Sequence, residues 1–564
     1  MFSPTRAPGF GMPLNYEPGT EVDGQLIGPS EQPFPSILSK KDQQLCRTAL
    51  PLLTLREIDM LRVMNVITDK PDWHIKVHNP TLTQRWSEET MSNEALDITP
   101  RMMTWILDEL KYKAKVLQKT NMISVFNGDV VKSDTALTNL FKERLQAAIK
   151  PLEGVPETSK DWHPGSNGQV LDLVHPSLFP LVYGRSRVLE NSVVSLEDCV
   201  SQCGSGVVAP IPPRPKSRTP KPYDKSDPVT YSIQFQWLPC EIDLSQCATV
   251  TSYINNLHPE RHQNLYQLVG EAIDAAIPLW NHCLSSAALQ KWKARIIYKG
   301  HRERIYKPGI GKFTAPRRKP IIDLRKQFSK NGLQVIVKLA NIVLTPDKPD
   351  YLGGSWHIEG QMNEHICASA LYYYSTENIE NSALAFRQQS DTTGADIVNY
   401  NQDDHQFLED IFGCTNNSPG VQVVGEVDTR EGRLLVFPNI LQHQVQPFSL
   451  KDPSKPGHRK ILALFLVDPH FRILSTANVP PQQKDWWRER VMRDAATATG
   501  GVSKSLNRLP PELRRLVFDN VQEDFPIGLD EAKAIREELM EERKVYHLSQ
   551  DKIFKSNEFS LCEH

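Results

Sequence analysis

The chain has 564 residues, with 65 Lys and Arg against 67 Asp and Glu, a net charge of −2 and 39% hydrophobic residues. That composition is ordinary for a globular protein of about two to four domains, and its charge balance excludes a global field that would hold a polyanion. No run approaches the roughly 20 apolar residues of a membrane span, the nine scattered cysteines lack paired metal-binding spacing, and the Pro- and Gly-rich start Met1–Gly9 has no apolar signal core, so reduced thiols and a cytoplasmic or nuclear location are expected.

Residues 1–40 read as a flexible arm, and 41–118 as a helical N-terminal domain. Thr54 and Glu57 form a capping box ahead of Ile58, Leu61 and Met64. Thr99-Pro100 starts a second helix with Met103, Ile106, Leu110, Ala114 and Leu117 on one face. Ser133 is expected to open a third, carrying Leu137, Leu140, Phe141, Leu145 and Ala148. Pro, Ser and Lys between 204 and 228 predict a surface loop, and Asn255 to Leu284 predicts a helix that buttresses a sheet.

Between Gln290 and Asn331 the chain is basic, from Lys291 to Lys330, against only Glu303 and Asp323. Trp292, Tyr298, Tyr306, Phe313 and Phe328 are interleaved, as in a surface that stacks on bases. Charge runs are more often solvated faces, however, and nucleic acid is not expected as a partner. Gly309 to Thr314 imitates a phosphate loop, but Phe313 stands where Ser or Thr should hold magnesium.

Leu333 to Ile342 alternates as a strand buried on both faces. Further strands are expected over Ile366–Tyr374, Ala383–Arg387, Val421–Val427, Arg433–Phe437, Gln444–Phe448 and Lys460–Val467. Many short strands broken by Gly, Pro and Asp predict a barrel or sandwich within 119–490. The remainder, 491–564, reads as a C-terminal helical extension, with Leu513–Asp519 and Asp530–Lys544 as exposed helices.

Three His-x-Glu triplets occur, at His258, His301 and His357, where chance alone would give about two. Only His357-Ile358-Glu359 lies in strand context, after a Gly-Gly turn and upstream of His443 and Arg459. Two imidazoles and one carboxylate can occupy one face of an octahedral ferrous ion and leave the other face open. An arginine on the following strand suits a dicarboxylate, because its planar fork holds a carboxylate by two charge-assisted bonds. His365, His405 and His458 lack such context and read as surface or hydrogen-bonded histidines.

The block from Tyr351 to Pro469 resembles the double-stranded β-helix, or jelly roll, of iron(II) and 2-oxoglutarate dioxygenases. Its spelling is nearest the prolyl-hydroxylase type: Cys367-Ala368-Ser369-Ala370-Leu371-Tyr372-Tyr373 after the first ligands, His-x-Val-x-Pro at His443, and Gly-x-Arg at Arg459. From roughly Ala49 to Trp487 the chain is similar to the mostly fungal family catalogued as domain of unknown function 4246. Val174-His175-Pro176-Ser177-Leu178, Phe235-Gln236-Trp237-Leu238-Pro239-Cys240 and Gly354-Ser355-Trp356-His357-Ile358-Glu359-Gly360 carry that likeness.

The dioxygenase resemblance implies an α+β protein in which His357, Glu359 and His443 ligate Fe(II), and Arg459 holds the distal carboxylate of 2-oxoglutarate. Tyr373 would assist Arg459, with Tyr372 or Tyr374 taking its place after a one-residue slip. Glu359 departs from the commoner aspartate by one methylene. The implied activity consumes O2 and 2-oxoglutarate to hydroxylate or demethylate an unknown substrate, a peptide side chain or a small metabolite. The competing reading is a non-catalytic interaction protein on a degenerate barrel, docking an acidic partner through the basic segment.

Overall fold

Period-two rows of apolar side chains build two sheets that share one interior. The structure, a computed structural model, describes residues 7–17, 21–22, 25–26, 31–213, 230–289, 294–299, 307–316, 321–398, 404–497, 508–520 and 525–559. Lys291, Lys293, His301, Arg302, Glu303, Arg304, Arg317, Arg318 and Lys319 of the basic run, with its Trp292 and Tyr306, and residues 214–228 of the expected loop lie outside them.

The strands used below are β1 (Ile123–Phe126), β2 (Val130–Ser133), β3 (Val170–Val174), β4 (Cys240–Asp243), β5 (Thr249–Val250), β6 (Leu333–Leu344), β7 (Ile366–Glu377), β8 (Ala383–Asp391), β9 (Val421–Asp428), β10 (Leu434–Pro438), β11 (Gln442–Val445) and β12 (Gly457–Val467). The larger, nine-stranded sheet has the order β5-β4-β6-β12-β7-β10-β2-β1, and β3 pairs with the other end of β6. The smaller sheet runs β9-β8-β11. Together with the helices this makes a mixed α+β protein.

Alternation divides β6, β12, β7 and β10 between two environments. Val335, Val337, Leu339, Leu462, Leu464 and Leu466 face α4 (Gln263–Leu289), whose Trp280 is fully buried, and α3 (Asn139–Glu153). Ile336, Leu371, Ala463, Phe465 and Phe437 turn the other way and share a core with Leu384, Phe386, Val424 and Val427 of the smaller sheet. α1 (Leu55–Thr68) and α2 (Pro100–Thr120) join that same core through Leu61, Met64, Met103 and Ile106, so packing is continuous across residues 118–119. The expected capping box of Thr54 and Glu57 is formed.

Several expected boundaries move for identifiable reasons. Ser133 does not open a helix: it ends β2, which pairs with β10, and α3 starts at Asn139 with Thr138 as its cap. Leu140, expected on the apolar face, is consequently 66% exposed. α4 begins at Gln263 rather than Asn255, because the Asn255 and Asn256 amides are spent on the carbonyls of Leu178, Phe179 and His175. The expected strand Gln444–Phe448 is split: β11 ends at Val445, and Phe448–Ser449 pairs instead with Asp350–Tyr351. Pro447, which has no N–H to donate, stands at the break.

The basic run is partly structural. Arg295 is tied to Glu109 by bonds of 2.8 and 3.0 Å, and Arg325 to Asp274, so these cations are not offered to a partner. All eight described cysteines are free, and no helix among the described residues is long and apolar enough to cross a membrane.

At the C-terminus α5 (Pro511–Asp519) is exposed except for Phe518, as expected. The longer α6 (Leu529–Phe554) is not exposed: it buries Ile535, Leu539, Tyr546, Ile553 and Phe554. Its charge pattern misleads because some charged side chains point inward, with Arg536 on Asp161 at 2.6 Å and Arg543 on Glu364 at 2.7 Å. Leu539, 1% exposed, tests this docking. Leu539→Ala is expected to lower the unfolding free energy by about 2–5 kcal/mol in urea titration, where a solvated position would change it by less than about 0.5 kcal/mol.

Candidate metal centre

Local backbone constraints bring the two histidines together. Gly353 has φ +89°, and a Cβ there would stand 2.8 Å from the Val445 carbonyl oxygen, so only glycine lets this turn approach β11. The Gly354 N–H then donates to Val445 O at 2.9 Å, and the Gln444 amide donates to Gly354 O at 2.8 Å. Three residues on, His357 and His443 form an antiparallel bridge, exchanging N–H···O bonds of 3.2 and 3.0 Å. The histidines thus come from directly paired backbone. Facing residues of such a pair project their side chains to one side.

Glu359 lies two positions beyond His357, the spacing that returns an extended chain to the same face. Its Oε1 is 3.3 Å from His443 Nε2 and 3.8 Å from His357 Nε2, and one donor atom from each of the three residues falls within 4.8 Å of the others. Asn439 fixes this segment, accepting from Glu359 N–H at 2.9 Å and donating to the carbonyls of Glu359 and Ile366 at 2.9 Å.

The protonation states of His357 and Glu359 suit a cation. Burial pushes His357 down to about 3, with His443 adding to the effect, so the ring is neutral at ordinary pH. Its Nδ1 lies 2.8 Å from Ser355 O and donates to it, which leaves the Nε2 lone pair toward Glu359. Burial raises the Glu359 carboxyl, but the His443 hydrogen bond and both imidazoles outweigh it and hold it at about 2. The neutral His357 ring and the Glu359 carboxylate therefore converge on one point beside His443.

Arg459 faces inward from β12 and is only 2% exposed. It lies over the rings of Phe448 and Tyr373, 5.1 and 5.6 Å from their centroids, and donates to Thr429 Oγ1 at 3.2 Å. Its Nε has no hydrogen-bond partner, and among the described residues no carboxylate pairs with it. Burial accordingly pulls its pKa down. A buried guanidinium without a counter-ion is costly to maintain and fits a carboxylate that binds from outside the chain. Of the three consecutive tyrosines, Tyr373 is the one beside Arg459; Tyr372 and Tyr374 pack on the opposite face, where Tyr374 donates to Asn341 at 3.0 Å.

The remaining histidines fill local roles. His365 stacks on Phe471 at 3.9 Å, His458 Nε2 lies 2.8 Å from Ser375 Oγ, His405 is 3.4 Å from Asn416, and His258 meets Glu489 at 3.2 Å.

Sequence reasoning missed several neighbours. Asn439, Thr429 and Phe448 carry no local signature. His547 of α6 brings its ring to 6.0 Å from that of His357, from a helix expected to be exposed. A second group, His163, Asp172 and His175, also has ligand atoms within 4.8 Å of one another. There His163 Nδ1 lies 2.7 Å from Asp172 Oδ2, the His175 Nδ1 accepts from Ser177 N–H at 3.2 Å, and Arg536 stands 3.6 Å from the same carboxylate oxygen. His175 sits in one of the phrases that carry the family likeness, which was the available signal.

No curated protein matches the chain. Among solved structures, likenesses were found to IDO from Bacillus thuringiensis (13% identity, TM-score 0.16, covering 26% of this chain and 52% of that one). Others are the Fe(II)/α-ketoglutarate-dependent dioxygenase TqaL (14%, 0.18, 37% and 61%) and a bsmA homolog from Methylobium petroleophilum PM1 (12%, 0.16, 33% and 67%). The chain thus spans between about half and two thirds of these structures, and at such scores they carry no argument. The family comparison is of a different order. A model described as a protein of unknown function, DUF4246, matches residues 100–490, and one for the DUF4246 N-terminal domain matches residues 7–89. With well over half of its length matched, the chain belongs to the DUF4246 family.

Proposed function

We propose that this protein is an iron(II)- and 2-oxoglutarate-dependent dioxygenase on a double-stranded β-helix core, with helical additions at both ends. The observation that carries this reading is the coexistence in one interior of a three-donor His357, Glu359 and His443 cluster and a buried Arg459 with no carboxylate partner. Either feature alone has commoner explanations. Together they provide for a metal and for a dicarboxylate.

In this reading His357, Glu359 and His443 hold the metal on one face. Arg459 receives the distal carboxylate, with Tyr373 and Phe448 as the walls that keep its planar guanidinium desolvated. Iron with bound 2-oxoglutarate supplies oxygen-dependent decarboxylation to succinate, coupled to oxidation of a substrate C–H bond. The protein's own part is orientation. The His357 to Ser355 bond sets the ring tautomer, Asn439 anchors the Glu359 backbone, and α6 with His547 covers the side of the site nearest His357. Division into an arm (1–40), a helical domain (41–118), the catalytic domain (119–490) and a C-terminal extension (491–564) is retained as part of this proposal.

The central test is turnover without substrate. With ferrous iron, ascorbate and oxygen, the wild-type protein is expected to form succinate from 2-oxoglutarate slowly, and His443→Ala to abolish it. Equal rates in the two proteins would favour the non-catalytic reading. Arg459→Ala is expected to weaken 2-oxoglutarate binding by about 2–5 kcal/mol, measured calorimetrically, with metal affinity retained. Asn439→Ala should leave the circular dichroism spectrum intact yet lower Co(II) affinity by about 10- to 100-fold, because the carboxylate ligand loses its backbone anchor.

A further inference from the structure

A cavity lies between the N-terminal segment and the barrel. Phe34, Leu38 and Asp42 line it on one side, Gln361, His365 and Phe471 on the other, and the Phe34 N–H donates to Asp468 Oδ2 at 2.8 Å, pinning the two sides together. None of His357, Glu359, His443 and Arg459 lines it, so it is separate from the metal centre; Asn439, which anchors the Glu359 backbone, is a wall they share. Its volume is about 40 Å³, room for roughly three water molecules.

Two of the lining side chains carry buried polar atoms without a partner. Gln361 is 2% exposed, and its Oε1 accepts no hydrogen bond. Its Nε2 faces Glu542 Oε1 at 3.5 Å, which sets the amide so that the oxygen is the spare acceptor. His365 Nε2 is likewise buried and unbonded, on a ring stacked against Phe471 at 3.9 Å. Buried polar atoms are nearly always paired, so two orphans in one cavity call for an occupant. Charge sharpens the demand. Glu17, Asp42 and Asp468 line the same space against Lys41 and Arg47, and Arg47 is already bound to Asp42 at 2.6 Å and to the Pro33 carbonyl at 2.9 Å. Burial pushes the carboxyls of Glu17 and Asp42 up, and the nearby cations do not offset it.

We propose that this cavity binds a small primary amine as its ammonium ion: Gln361 Oε1 accepts from the head group, Glu17 and Asp42 balance its charge, and its carbon chain lies against Phe34, Leu38 and Met362. The site stands whether or not the dioxygenase reading holds. An anion is disfavoured by the three carboxylates. A neutral alcohol could satisfy Gln361 but would leave the acids as poorly compensated as before. An inorganic cation is disfavoured because, among the described residues, no three metal-ligating side chains converge here. The volume admits about three or four non-hydrogen atoms, as in propylamine, and a longer amine must project through the mouth.

The test uses the full chain freed of metal, so that no amine can bind through a metal ion. Propylamine, protonated at about pH 8, is expected to bind saturably in a calorimetric titration, with 1-propanol and propionate at least about tenfold weaker. Gln361→Leu is expected to weaken propylamine binding about 10- to 100-fold, the worth of a hydrogen bond to a charged donor. Should that variant fail to fold, Glu17→Gln, an isosteric change at a half-buried position, is expected to weaken it about two- to fivefold with the melting temperature unchanged. Nα-acetyl-lysine methylamide tells the source apart: binding as tight as that of propylamine supports the proposal with a lysine side chain as the ligand, and no binding supports it with a free amine. Equal affinity for propanol and propylamine, no saturable binding of propylamine by the wild-type protein, or undiminished affinity in the folded variants would overturn the proposal and leave ordered water as the occupant. Succinate formation from 2-oxoglutarate bears on the dioxygenase reading alone and on none of these outcomes.

Discussion

The reciprocal backbone bonds between His357 and His443 are the constraint on which the rest of the site depends. They fix the two imidazoles side by side, 4.3 Å between ring centroids. Two backbone hydrogen bonds are modest in net energy, about 1 kcal/mol each. Their effect here is geometric: they join an irregular segment to the edge of the smaller sheet, where β11 is held by β8. A slip of one residue would turn His357 away from His443 and exchange Glu359 for its neighbour. The Gly353-Gly354 turn and the Asn439 side chain oppose such a slip from either end.

Charge in the interior follows a consistent economy. Glu109 holds Arg295, Asp69 and Asp134 hold Arg433, Glu364 holds Arg543, and Asp161 holds Arg536, all inside or at the edge of the packed layers. Such pairs offset the desolvation of each partner, and breaking one leaves an uncompensated charge. Against this background Arg459 stands apart, since it is buried without an acid partner among the described residues.

The C-terminal helix changes how the site is bounded. The DUF4246 model ends at residue 490, whereas α6 begins at Leu529, yet its His547, Gln550 and Arg543 reach the His357 ring, the Gly360 carbonyl and Glu364. Residues beyond the matched segment therefore complete one wall. A helix rich in Glu, Lys and Arg can do this because long charged side chains cover apolar surface while their heads find partners. Tyr546 adds a bond to the Thr230 carbonyl, linking the helix to the segment that leads into Trp237.

The amino-acid sequence by itself determined most of the strands from Leu333 to Val467 and the helices capped by Thr54 and Thr99, and it singled out His357, Glu359, His443 and Arg459 as the candidate set. Those features rest on short-range periodicity and on residue types whose chemistry is scarce enough to stand out. It left Tyr373 open among three tyrosines, because strand face depends on register, and only pairing with β12 and β10 turned Tyr373 inward. It misplaced the start of the Asn139–Glu153 helix and the exposure of α6, because propensity cannot anticipate that Ser133 is claimed by a neighbouring strand or that Arg536 and Arg543 find buried acids. Asn439 and His547 meet the site only through contacts between residues far apart in the chain. Tertiary structure decided these, since their roles arise from what faces them across the interior and not from any pattern in the residues beside them.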